Sequence, residues 1–239
     1  VMVFNRFIKS LKNATTLVAI PRVNIALFIL LQIAAMVTYP GGTIKDKTSD
    51  GYSFILNFFS DLGIYTAYNG ENNFFSMGLF IIALTLGGVT FSIYYLALPQ
   101  FFKDDKTNYS IAILGTIFAL AGSISMIGAG FTPGDLYPDP HDLFANWIFR
   151  FYLVTAFCYT MVIFRSNILP NKYALGYGIF TLCIAMYIGV LEFSSSPQSS
   201  LSALILHVVA QKMVVLTFCL AIVYQTFGFS SNKSLFNAK

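Results

Sequence analysis

Along the chain, mostly apolar stretches alternate with short polar breaks, and six of the stretches are long enough to cross a bilayer as helices of about 20 residues. They run over 23–39, 73–97, 110–131, 143–164, 173–191 and 201–227. Pro40-Gly41-Gly42 ends the first, and the run PQFFKDDK over 99–106 separates the second from the third. Thr132-Pro133-Gly134 closes the third, Arg165 and Pro170 follow the fourth, and EFSSSPQSS over 192–200 joins the fifth to the sixth. The first connection is long and polar, reaching about Glu71, and holds a short apolar stretch over 52–59. That stretch is too short to span and reads as an interfacial or re-entrant piece. Ahead of the first span, Arg6, Lys9 and Lys12 interleave with Phe4, Phe7, Ile8 and Leu11, the pattern of an amphipathic helix lying on the membrane surface. No cleavable signal peptide is expected; the first span serves as an uncleaved anchor. The expected organisation is an N-terminal segment over 1–22, a six-transmembrane-helix bundle over 23–229 and a polar tail over 230–239, an all-α integral membrane fold.

Composition removes the soluble alternatives. Hydrophobic residues make up 56% of the 239 residues and charged residues only 10%, where a soluble domain carries about 25% charge. The mean hydropathy is +0.71. The net charge of +4 is therefore no nucleic-acid signal, and it gains meaning only by position. With the N-terminus inside, cytoplasmic segments hold Arg6, Lys9, Lys12, Arg22, Lys103, Lys106, Arg165, Lys172, Lys233 and Lys239, against Lys45 and Lys47 outside. This asymmetry predicts both termini in the cytoplasm and supports an even number of spans, in a cell membrane. Cys158, Cys183 and Cys219 fall in separate spans without metal or disulfide spacing, and read as packing residues. Tyr173, Tyr187, Tyr224 and Trp147 read as interface anchors. Gly115, Ala119, Gly122, Ser125 and Ala129 line one face of the third span, where small residues let a neighbouring helix approach. Packing within the bundle is the simplest use of that face; a membrane-protein partner or a second copy is the other.

Ionisable residues inside a span are costly and mark candidate sites. Arg150 lies about two turns into the fourth span, with Asn146 one turn above it, and Lys212 about three turns into the sixth. His207 and Gln211 sit one turn apart on that same helix. Ser60, Asp61, Asn73, Asp135, His141 and Glu192 lie at the same outer side. The expectation is one outward-facing polar pocket in which Arg150 and Lys212 face acidic partners. Four uses compete: an ion-paired plug, an anion or lipid-headgroup site, a zinc-like metal site drawn from His141, His207, Asp61 and Asp135, and a transport path. A metal-bound water would make the third a lipid hydrolase. A non-catalytic accessory subunit of a membrane complex is a further class. No phosphate loop, dinucleotide fingerprint or nucleophile elbow is present.

The run Phe59-Ser60-Asp61-Leu62-Gly63 followed by Asn72-Asn73-Phe74-Phe75-Ser76-Met77-Gly78-Leu79-Phe80 resembles the start of family 998 among domains of unknown function, a prokaryotic group of six-helix membrane proteins. GAGFTPGDLYPDPHD over 128–142 is similar to that family's segment between the third and fourth helices, and Gln211-Lys212 falls where the family often carries a polar-basic pair. The Ser-Asp-x-Gly element also resembles the FGF-receptor-activating-protein/DRAM group, associated with lipid handling. These resemblances imply the six-helix fold, point to membrane lipids as partners, and put weight on Ser60, Asp61, Asp135 and His141.

Overall fold

The computed structural model describes residues 6, 8, 10–232 and 234–237. Among them, six helices are long and apolar enough to cross a membrane. They are α1 (Ile20–Thr38), α2 (Phe74–Ala97), α3 (Lys106–Phe131), α4 (Pro138–Arg165), α5 (Asn171–Phe193) and α6 (Leu201–Ser231), followed by a short α7 (Ser234–Asn237). The protein is an all-helical polytopic integral membrane protein. Much of the expected surface-lying segment, including Phe4, Phe7 and Lys9, falls outside the described residues, as do Lys233 and Lys239. A π-helical turn, Thr15–Ala19, leads straight into α1, so the first span starts earlier than the hydropathy break at 23. Pro21, which lacks an N–H, follows directly on the π-helical turn, where the regular α-helical bonding pattern is already interrupted.

Helix ends follow local chemistry. Asp105 caps α3 by accepting from the Asn108 N–H at 2.7 Å, and Ser200 caps α6 by accepting from the Ala203 N–H at 3.1 Å. Each helix packs on the next in sequence, and α1 closes the ring on α6. The α3–α4 contact is the closest: Gly115 lies against Cys158 and Tyr159, and Gly122 against Tyr152 and Phe151. The small-residue face of α3 is buried within the chain, with its two glycines packed on α4. The α1–α6 contact is the thinnest in the ring. It is stitched at the end nearer the termini, where Arg22 donates to the hydroxyls of Thr226 at 2.8 Å and Ser230 at 3.3 Å and lies over the Phe227 ring.

The interior near that end is aromatic. Tyr95, Tyr159 and Tyr177 are fully buried, and their polar ends are met within the bundle. Thr116 Oγ1 bridges the Tyr95 carbonyl (2.9 Å) and the Tyr159 hydroxyl (2.8 Å), and Tyr177 donates to the Tyr95 hydroxyl at 3.3 Å. Hydroxyls paired in this way let large rings fill a membrane core without stranded polar groups.

At the other end, residues 39–73 fold over the bundle as a cap. Bridges pair Gly41 with Asp50 and Thr66 with Asn72, and a 3₁₀ turn, Ser60–Gly63, drops toward the helices. Gly42 adopts φ +83, and a side chain there would meet the Tyr68–Asn69 backbone at 2.4–2.6 Å. Gly63 is needed for space, since an added Cβ would lie 2.4 Å from the Phe80 ring. Residues 52–59 form turns within the cap, with Phe54 and Ile55 exposed.

Candidate functional site

The cap is held by a hub around Asp61, which is 4% exposed. Its Oδ2 accepts from the Asn57 side-chain amide at 3.1 Å and the Phe58 N–H at 2.8 Å, and its Oδ1 accepts from the Tyr68 hydroxyl at 3.3 Å. Burial pushes the Asp61 carboxyl up to about 6, against the opposing pull of these three donors and of the nearby Lys212 ammonium. Burial likewise raises the Tyr68 phenol, which keeps it a donor. Asn57 is fully buried and also donates to the Gly42 carbonyl at 3.0 Å. From α6, Lys212 Nζ donates to the Asn57 carbonyl at 2.5 Å and lies 5.0–5.4 Å from the ring centres of Tyr52, Phe54 and Phe59. One residue earlier, Gln211 Oε1 accepts from the Phe59 N–H at 2.8 Å. Two further clamps fix the cap. Asn73 donates to the Leu62 and Ile64 carbonyls at 3.0 and 2.8 Å, and the Asp135 carboxylate takes the Tyr65 and Thr66 N–H groups at 2.8 and 2.9 Å.

Beneath this hub lies a cavity of about 100 Å³ on the bundle axis, lined by all six helices and by the 3₁₀ turn. Its walls are apolar, with Phe28, Phe80, Phe91, Ile148, Phe180 and Phe218 prominent. Gln32, Ser60, His141 and Gln211 supply most of the polar character, and no Asp, Glu, Lys or Arg among the described residues lines it. Gln32 is 3% exposed, and neither of its amide atoms has a hydrogen-bond partner among the described residues.

The chain matches no protein-family model, no curated protein and no solved structure.

Apart from His207, which bonds to Ser194 and Ser195, the sequence-nominated residues divide into three groups. Ser60, His141 and Gln211 meet at the cavity, and Asp61, Asn73, Asp135 and Lys212 belong to the cap and its clamps. Asn146, Arg150 and Glu192 stand apart. Arg150 pairs with Glu192, donates to the Asn146 carbonyl at 3.0 Å, and lines an open groove with Asp139, Asp142 and Trp147. Among the described residues, Arg150 and Lys212 share no hydrogen-bonding, ionic or ring partner, and the groove lined by Arg150 does not include Lys212, so the two cations are not brought together as expected. Each cation has its own counterpart on a different part of the fold, a carboxylate for Arg150 and a carbonyl with three rings for Lys212.

The four metal candidates are likewise dispersed. His141 Nδ1 donates to the Thr132 carbonyl at 2.6 Å, and His207 Nε2 lies 2.7 Å from the Ser194 hydroxyl and 3.1 Å from the Ser195 carbonyl. Asp61 and Asp135 serve the cap. Among the described residues, no group of three or more His, Cys, Asp or Glu side chains is placed to hold a metal ion. Two proposed interface anchors are interior: Tyr187 and Tyr173 are each 5% exposed, the first edge-on to Phe149 and the second tilted against Tyr224. Sequence reasoning also missed Gln32, Asn57 and Tyr68. Gln32 is the one side-chain amide between Asn24 and the end of α1, a signal that was available. Asn57 and Tyr68 sit in a polar loop whose folding no periodicity announces.

Proposed function

We propose that this protein binds a membrane lipid, holding part of it in the axial cavity under the cap. The observation that carries this reading is the cavity itself: apolar walls with a few convergent polar side chains, set inside a membrane-spanning bundle. Access is lateral. The α1–α6 seam is the thinnest in the ring, both helices line the cavity, and Arg22 stitches the seam only at the far end. A lipid entering there never crosses water. The bias of lysine and arginine supports a cytoplasmic location for both termini and an outward-facing cap, so the lipid is drawn from the outer leaflet of the cell membrane.

Lipid extraction from protein purified in mild detergent tests the reading. Wild-type protein should retain a lipid in constant ratio to the chain. Ala129→Phe, which projects a ring into the cavity from α3, should lose it while remaining folded. Equal retention by folded wild type and variant would refute the proposal.

A further inference from the structure

We infer that the cavity selects an uncharged lipid bearing a hydroxyl group, and that the Gln32 amide is what holds it. The inference rests on the lipid-binding reading above and names the ligand class of that site.

Gln32 is 3% exposed and lines the cavity, yet its Nε2 and Oε1 make no hydrogen bond among the described residues. A side-chain amide offers two donors and a carbonyl acceptor, and leaving all of them unmet in apolar surroundings is costly. Neighbouring polar groups do not relieve it. Gln211 is committed to the Phe59 N–H, and His141 Nδ1 to the Thr132 carbonyl. The natural complement is a group that both donates and accepts, as a hydroxyl does.

The cavity also says what the ligand is not. A phosphate, carboxylate or ammonium would need a counter-charge, and no Asp, Glu, Lys or Arg among the described residues lines the walls. Lys212 is spent on Asn57 and three aromatic rings, and Arg150 on Glu192. Several waters could satisfy the amide, since a volume of about 100 Å³ is roughly three times a water's share of the liquid. They would then face mostly phenylalanine, isoleucine and valine on the other sides, whereas water in a buried site needs two to four polar partners. An alcohol head at Gln32 with its carbon chain against those walls meets both requirements and leaves the remainder of the chain to pass out through the α1–α6 seam.

The experiment uses the full chain in nanodiscs, photolabelled with a long-chain alcohol carrying a diazirine. Labelled peptides are mapped, and the label is competed with 1-decanol or n-decane at matched membrane concentrations. Labelling should map to cavity-lining residues of α1 and α6. Decanol should compete about tenfold better than decane, the scale of one buried hydrogen-bonded pair. In Gln32→Leu the two competitors should become equal, with labelling retained; Gln32→Met serves if the leucine variant does not fold. Equal competition in the wild type would overturn the role of Gln32 and leave the lipid cavity standing. A wild-type protein that takes no label in the cavity would overturn both.

Discussion

The buried Asp61 makes the closing of the cap dependent on pH in a direction opposite to that of an ordinary salt-bridged carboxylate. Its carboxyl is raised from 3.8 to about 6 in the closed cap, mainly by burial. When residues 39–73 lift away, Asp61 meets water and returns to its usual range. The closed state therefore binds the proton more tightly than the opened one. Stability that is complete below about pH 4 is lost as pH rises through about 6, and levels off above it. Each pH unit in that window is worth about 1.4 kcal/mol, so the closed cap is about 3 kcal/mol less stable at neutral pH than in acid. Hydrogen–deuterium exchange of the cap amides, corrected for the intrinsic pH dependence of exchange, reads this directly. Protection at Phe58, Phe59 and Leu62 should be roughly a hundredfold greater at about pH 4 than at about pH 7. Asp61→Asn should flatten the slope, whatever its effect on absolute protection. Lys212→Met removes the ammonium that favours the ionised carboxylate, and should move the midpoint upward. Protection that is constant with pH, or that grows toward neutrality, would refute the burial argument.

Other consequences are open to simple variants. Gly122→Leu forces a side chain into space where a Cβ alone would lie 3.0 Å from the Tyr152 ring, so thermal unfolding in detergent should show a loss of about 1–3 kcal/mol. Arg150→Gln breaks a partly exposed ion pair with Glu192 and should cost less than about 1 kcal/mol in the same assay. Asp135→Ala removes the acceptor for two cap amides, and exchange at Tyr65 and Thr66 should accelerate while the 57–59 segment stays protected.

The helix count was legible because apolar runs of bilayer length leave little room for another reading. The use of the α3 glycine face was legible too, as small residues at three- and four-residue spacing admit close helix approach. The site was only partly so. Composition marked Lys212, Asp61 and Gln211 as unusual, and they do converge, but on the cap rather than on a ligand-binding charge cluster. Arg150 and Lys212 looked like a pair because both lie in the same half of their helices. Depth along a helix is readable from the chain; the direction a side chain takes around the ring is not. The cap hid for a different reason: its order comes from single hydrogen bonds between residues such as Asn57, Gly42 and Asp61, which leave no repeating pattern to detect.

Neighbouring residues Gln211 and Lys212 place two loads on one helix. Through them, α6 grips the backbone at 57–59, while further along the same helix forms one side of the loosest seam in the ring. A tilt of α6 that widens this gap also pulls on the loop above it. Arrival of a guest from the side would thus be felt at the aqueous surface as a tug on a few peptide groups, with α6 as the lever.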